Sequence, residues 1–95
     1  MLTGKQKRYL RSLAQTMNAT FQVGKEGVSH NMIIGIRQSL DANELVKVKV
    51  LDNCLEDLQQ VALDLSAGTK SDIVQIIGHT IILYRQAKEP RITLP

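Results

Sequence analysis

Cysteine is nearly absent from this chain, which has 95 residues and a single thiol, Cys54. One thiol cannot form an internal disulfide, and a lone cysteine is typical of a protein from a reducing compartment. At this length we expect one domain over residues 1–95, held together by its apolar core.

Long apolar runs are absent as well. Residues 1–10 contain no apolar stretch of signal-peptide length, and no segment approaches the ~18 apolar residues of a membrane span. These absences predict a cytoplasmic protein with no membrane partner.

Aromatic side chains are few, because Tyr9, Phe21 and Tyr84 are the only ones. Proteins that read single-stranded bases usually stack them on aromatic rings. The composition therefore disfavours that mode of recognition.

Catalytic and metal-binding patterns are missing. Ser29 and His30 are neighbours outside any G-x-S-x-G elbow, and "GTKS" at 68–71 lacks the first glycine of a phosphate-binding P-loop. His79 and Cys54 complete no set with metal-ligand spacing. The sequence therefore predicts no enzyme, no metal, no cofactor and no small-molecule substrate.

Charge is present but unevenly placed, within a net charge of +3. Residues 1–51 carry eight Lys or Arg against three Asp or Glu, whereas residues 52–72 carry one against five. This asymmetry indicates an anionic partner for the basic part, although scattered surface charge would give the same totals.

The first predicted element is a basic amphipathic helix over residues 4–17. Leu10, Leu13 and Met17 belong to one apolar stripe, and Thr3 is a suitable N-cap. The cations lie on or beside the opposite face: Lys5, Lys7, Arg8 and Arg11.

A strand over 20–23 and a helix over 30–41 follow, separated by the glycines of 24–27. Ser29 is the expected N-cap of this helix. Gly35 inside it lowers helix stability, which indicates close packing against a neighbour.

The segment "ELVKVKVL", 44–51, alternates as a strand does, with its valines on one face and Lys47 and Lys49 on the other. A helix is predicted over 53–67, with Leu55 in its apolar stripe. Asn53 and Glu56 are spaced as a capping box, and Gly68 has the position of a C-cap glycine.

Two β-rich runs, "DIVQII" and "TIILYR", are joined by Gly78-His79 as in a type II′ hairpin, and the tail 86–95 is expected to be irregular. The order is α-β-α-β-α-β-β. It predicts an α/β chain, in an α+β two-layer arrangement, with parallel crossovers and a final antiparallel hairpin.

The stretch Gly24-Lys25-Glu26-Gly27 lies between a strand and a capped helix. Glycines allow close backbone approach, a helix N-terminus offers free N–H groups, and Lys25 adds positive charge. These features favour a loop that holds a phosphate backbone. A plain turn is the alternative, and Glu26 counts against a phosphate site unless it points away.

Three stretches in this order and at this spacing resemble the CRM domain (chloroplast RNA splicing and ribosome maturation): "VGKEGVS", "ELVKVKVL" and "IIGHTIILYR". The likeness runs from "LTGKQKRYLRSLA" to "RITLP" and is strongest to single-domain bacterial YhbY-like members. It implies a four-stranded mixed sheet of order 1-2-4-3, with strand four antiparallel to the others. Such a fold is similar to the C-terminal domain of bacterial translation initiation factor 3.

The resemblance also implies an RNA-binding module. Bacterial members associate with precursors of the large ribosomal subunit, and plant relatives act in group II intron splicing. We therefore expect a monomer that assists ribosome assembly by clamping RNA between the G-x-x-G loop and the basic helix. The expected RNA-binding residues are Gly24, Lys25, Glu26, Gly27, Ser29, Lys5, Lys7, Arg8, Arg11 and Arg37.

Two other functions stay open. The chain would also suit a protein-interaction module of the translation or ribosome-assembly machinery, with its basic residues merely solvated. A small enzyme ranks third, since no catalytic dyad is present. Steep loss of affinity with salt distinguishes RNA binding from a hydrophobic protein interface.

Overall fold

The computed structural model describes residues 2–95. Within them the chain follows the predicted order of elements: α1 (Gly4–Ala14), β1 (Phe21–Val23), α2 (His30–Asn43), β2 (Leu45–Val50), α3 (Leu58–Thr69), β3 (Asp72–Ile77) and β4 (Thr80–Tyr84).

The strands form one mixed sheet in the order β1-β2-β4-β3. β1 and β2 are parallel, whereas β4 is antiparallel to β2 and to β3. The strand order and orientation implied by the resemblance are therefore confirmed. At the hairpin, Gly78 alone has a positive φ, +57°, which fits the first central position of a type II′ turn.

Helices cover both faces of the sheet. Val46 and Val48 of β2 pack with Ile81 of β4 in a core formed with α2 and α3. Leu45 and Ile82, whose side chains point the other way, pack with α1. The α+β class and the mixed sheet are as predicted, but the two-layer packing is not. Because β4 is apolar along almost its whole length, neither of its faces can be left to water.

Helix α1 begins as predicted and ends early. Thr3 and Gln6 form a reciprocal capping box, with N···O distances of 3.0 and 3.1 Å. The helix stops at Ala14 instead of Met17, and the Lys47 ammonium donates to the carbonyls of both residues, at 3.0 and 3.1 Å. Lys47 therefore stabilises the end of α1.

Helix α3 begins at Leu58, later than the sequence predicts. Residues 51–57 form a loop, so Asn53 and Glu56 make no capping box. Leu55, assigned to the apolar stripe, is 83% exposed. The helix starts only where its side chains reach the core, because packing outweighs a local capping signal.

Two helical glycines allow close packing. Gly68 lies inside α3 instead of capping it, and Lys70 takes the left-handed position with φ +54°. A Cβ on Gly68 would lie 2.7 Å from Ile33 Cδ1 of α2. A Cβ on Gly35 would lie 3.2 Å from the Phe21 ring, which confirms the close packing predicted there.

The tail, residues 86–95, forms no helix or strand but is held by one buried carboxylate. Glu44 ends α2 in the left-handed conformation, with φ +67°. Its side chain accepts the N–H groups of Ala87 at 3.1 Å, Arg91 at 2.5 Å and Ile92 at 2.8 Å. Glu44, predicted as the start of a strand, instead anchors the tail.

Ionisation of Glu44 is part of this anchor. Burial disfavours its charged form, but the three N–H groups outweigh burial and hold the pKa of Glu44 below its usual value. Burial, together with the charges of Glu44 and Asp72, raises the pKa of Tyr84. A carboxyl with a lowered folded pKa stabilises the fold above its unfolded pKa. That contribution is lost as pH falls through the folded pKa.

We expect Glu44→Gln to lower the free energy of unfolding by about 1–3 kcal/mol near neutral pH, because an amide leaves part of this N–H cluster unsatisfied. The deficit should shrink towards about pH 3, where the wild type also loses the charge. Thermal unfolding at both pH values, with Glu89→Gln in the exposed part of the tail as control, measures this. An equal deficit at both pH values would contradict the role given to the charge.

Candidate nucleic-acid interface

The G-x-x-G segment forms a tight turn at the carboxyl end of β1. The Gly27 N–H donates to Gly24 O at 3.0 Å, which places Lys25 and Glu26 at the exposed corners of the turn. The Leu51 N–H donates to the last carbonyl of β1 at 2.8 Å. The turn therefore lies beside the loop that follows β2.

The two glycines of the turn have different reasons to be glycine. Gly27 is buried, has a φ of +71°, and a Cβ there would collide with the carboxylate of Glu56. Gly24 has no positive φ, and a Cβ there would lie 3.5 Å from Asn53 Oδ1, an ordinary contact. Only Gly27 is required by the conformation of the turn.

The N-terminus of α2 follows the turn directly. Ser29 Oγ accepts the Met32 N–H at 3.1 Å, so the predicted N-cap is confirmed. The helix begins at His30, as predicted, and ends at Asn43. Because Ser29 is engaged in the cap, its part in a site would be to hold the N–H groups of the first turn towards a ligand.

Helix α1 presents an unpaired basic surface. Its cations are exposed or half-buried: Lys5, Lys7, Arg8 and Arg11. Arg8 and Arg11, with Gln75 and Ile77 of β3, line a shallow groove of about 310 Å³. No cation of α1 forms an ion pair among residues 2–95. Their charge is therefore available to an anionic partner.

The turn and this groove lie at the same end of the sheet. The Val50 N–H donates to His79 O at 2.7 Å, so the β3–β4 hairpin meets the end of β2 from which the loop 51–57 departs. Ile77 is the last residue of β3 and belongs to the groove. The width of the sheet separates the turn from the cations of α1.

Arg37 is the predicted site residue that the structure places apart. It lies on α2, which packs on the opposite face of the sheet from α1. Its carbonyl accepts the Arg85 guanidinium at 3.2 Å, next to the ion pair between Arg85 and Asp41. Arg37 therefore shares no surface with the basic face of α1.

Carboxylates surround the turn, which the sequence did not indicate. Glu26 is part of it, Glu56 lies against Gly27, and Asp52 and Asp57 are exposed in the neighbouring loop. Glu56 is distant from Gly27 in sequence, so no local pattern could have revealed this contact. The positive charge of the molecule lies on the side of α1 and not around the turn.

The side chains that could support other chemistry do not cluster. No group of three His, Cys, Asp or Glu within residues 2–95 comes together as a metal site. Cys54 lies in the loop 51–57, with Sγ 3.8 Å from Glu56 O, and not in a helical turn as predicted. Over the same residues, no helix has the length and apolar character needed to cross a membrane.

Comparison with known proteins identifies close relatives. Residues 2–85 match the CRS1 / YhbY (CRM) domain. The chain is 55% identical to the "Probable RNA-binding protein YqeI" of Bacillus subtilis, over 100% of both chains. It is 36% identical to an "RNA-binding protein" of Haemophilus influenzae, over 99% of this chain and 95% of the relative.

A solved structure has the same fold. The solution structure of protein SAV1595 from Staphylococcus aureus superposes with a TM-score of 0.83, at 51% identity, over 100% of both chains. The likeness therefore extends over every helix and strand described above.

The unequal glycines generate a prediction. Gly27→Ala should lower the free energy of unfolding by about 1–2 kcal/mol, because a Cβ is unfavourable at positive φ. Gly24→Ala should change it by less than about 0.5 kcal/mol. Denaturant unfolding measures both. In a Glu56→Ala background the loss at Gly27 should shrink but persist, since the backbone cost remains. Equal losses at the two glycines would contradict this account.

Proposed function

The chain belongs to the CRS1 / YhbY (CRM) domain family, and from that premise we propose that it is a non-enzymatic RNA-binding protein. The observation that carries the proposal is the unpaired basic surface of α1, at the same end of the sheet as the G-x-x-G turn. Phosphate groups are the anions that such a surface would meet in RNA.

The two parts of the interface would act differently. The cations of α1 supply the electrostatic attraction, because no carboxylate lies on that helix. The turn supplies close approach to the sugar–phosphate backbone, with Lys25 at its corner and the N–H groups of α2 behind it. With so few aromatic side chains, recognition would depend on backbone contacts and RNA shape more than on base stacking.

The RNA we propose is the precursor of large-subunit ribosomal RNA, and the role is to assist assembly of that subunit. This part rests on the family resemblance, since the geometry favours an RNA backbone without selecting one RNA. The relatives from Bacillus subtilis and Haemophilus influenzae carry names that describe RNA binding, which supports the class of partner.

A protein-interaction module is the second candidate. Leu55, beside the turn, is 83% exposed, and Leu63 on α3 is also exposed. Exposed leucines of this kind suit a hydrophobic contact with a protein. Binding through them would be insensitive to salt, whereas binding through α1 would weaken steeply as salt rises.

Co-sedimentation with large-subunit precursors on a sucrose gradient tests the proposal. We expect Lys25→Glu, and separately a triple charge reversal at Lys7, Arg8 and Arg11, to abolish co-sedimentation. Stability should change by less than about 0.5 kcal/mol per exposed site. For the triple variant, affinity for RNA should also depend less steeply on salt, by roughly 0.7–0.9 log units per lost contact.

Lys88→Glu, at an exposed position of the tail, is the matched control and should behave as wild type. If Lys25→Glu co-sediments normally while the triple variant does not, α1 binds RNA and the turn is only a turn. If wild type binds purified RNA but no precursor particle, the proposed partner is wrong. Binding indifferent to salt would favour the protein-interaction alternative.

The carboxylate of Glu56 against Gly27 generates a further prediction. Glu56→Gln should strengthen RNA binding by up to about fivefold, because two unit charges about 4 Å apart in water interact by about 1 kcal/mol. Filter binding to ribosomal RNA measures this, with Glu89→Gln in the tail as the matched neutralisation. Equal gains for the two variants would mean that RNA does not approach Gly27.

A further inference from the structure

One row of side chains crosses all four strands at the end of the sheet that carries the G-x-x-G turn. Gln22 of β1 pairs with Lys49 of β2, Lys49 pairs with Thr80 of β4, and Thr80 pairs with Ile77 of β3. We call these four residues the open row. Their side chains are neighbours on one face, because directly paired residues point to the same side of a sheet.

The open row faces the side of α1 and is not covered by it. Val48, Val50 and Ile81, the strand neighbours of the row, point into the core with α2 and α3, so the row points the opposite way. Lys49, Gln22 and Ile77 are exposed, with Ile77 52% accessible, and Thr80 is half-buried. The next row inward contains Ile82, which is buried against α1.

Two lysines on this face of β2 have different surroundings. Lys47 is half-buried, and its ammonium donates to the carbonyls at the end of α1. Lys49, two positions on, is exposed and forms no ion pair among residues 2–95. Because the structural requirement for a cation is met by Lys47, the charge of Lys49 is free for a partner.

The open row continues into the groove of α1. Ile77 belongs to both, and the groove adds Arg8 and Arg11. Neither the row nor the groove contains a carboxylate, and no Asp or Glu precedes Glu26 in the chain. At its other end the row reaches Gln22, close to the start of the G-x-x-G turn in sequence. The surface is therefore continuous, and positively charged, from the groove to the base of the turn.

We propose that the open row is the floor of the RNA interface, carrying one stretch of RNA backbone between the α1 groove and the turn. This inference rests on the RNA-binding function proposed above. Neighbouring strands lie about 4.8 Å apart, so the row spans roughly 14 Å, enough for a short run of nucleotides. Lys49 binds a phosphate, Gln22 and Thr80 donate to sugar or phosphate oxygens, and Ile77 contacts an apolar face of a sugar or base.

The charge of this surface selects RNA over a protein partner. A sheet face that docks a protein would be expected to present apolar side chains at its centre. Here the centre of the row is a lysine beside a threonine, and Ile77 is the one large apolar member. A polyanion with a repeating phosphate fits that order better than an apolar segment does.

Filter binding to in vitro transcribed large-subunit ribosomal RNA, over a range of salt, tests the proposal. Lys49→Gln should weaken binding about four- to sixfold at about 0.15 M salt and reduce the salt slope by about 0.7–0.9, the loss of one phosphate contact. Lys88→Gln, the same change in the exposed tail, should leave both unchanged.

A second pair of variants tests the apolar member. Ile77→Glu and Leu63→Glu introduce the same charge at exposed apolar positions on opposite sides of the molecule. Only Ile77→Glu should weaken RNA binding. Melting temperatures of all four variants establish that the fold is intact.

The outcomes separate the two proposals. If wild type shows no salt-dependent binding, the RNA-binding function itself is wrong. If wild type binds and neutralising Arg8 and Arg11 weakens it, but the row variants match their controls, RNA does not cross the row and this inference alone is overturned. Loss of a protein partner with unchanged RNA affinity would likewise overturn it.

Discussion

Burial of both faces of β2 and β4 is the constraint on which the rest of the molecule depends. Val48 and Ile81 on one side, and Leu45 and Ile82 on the other, are almost inaccessible to water. A sheet of this kind needs cover on both faces. The α2–α3 pair covers one face completely, whereas α1 and the tail cover the other only in part. The uncovered end is where the candidate interface lies.

The distribution of charge follows from this arrangement. The cations of α1 project away from the sheet and meet no carboxylate, while the acidic loop 51–57 lies beside the G-x-x-G turn. The turn is thus suited to steric approach and hydrogen bonding, and α1 to long-range attraction. Glu56 against Gly27 sets an electrostatic opposition at the turn that a bound phosphate would have to overcome.

Local signals predicted the elements whose limits depend on local interactions. Thr3 and Ser29 cap the helices they were expected to cap, and the alternation of 44–51 correctly oriented its valines. Prediction failed for α3, where Asn53 and Glu56 have capping-box spacing but lie in a loop. The helix begins where apolar side chains reach the core, and a capping signal of about 1 kcal/mol cannot move that point.

Contiguous residues were enough to predict the order of elements, the basic character of α1, the G-x-x-G turn and the family, because each depends on a short stretch of the chain. Three other facts required the folded molecule: Glu44 holds the tail, Lys47 is committed to α1 while Lys49 is free, and Arg37 lies away from the other cations. They depend on contacts between residues far apart in the chain. Such contacts exist only once strand register and helix length have set which side chains are covered.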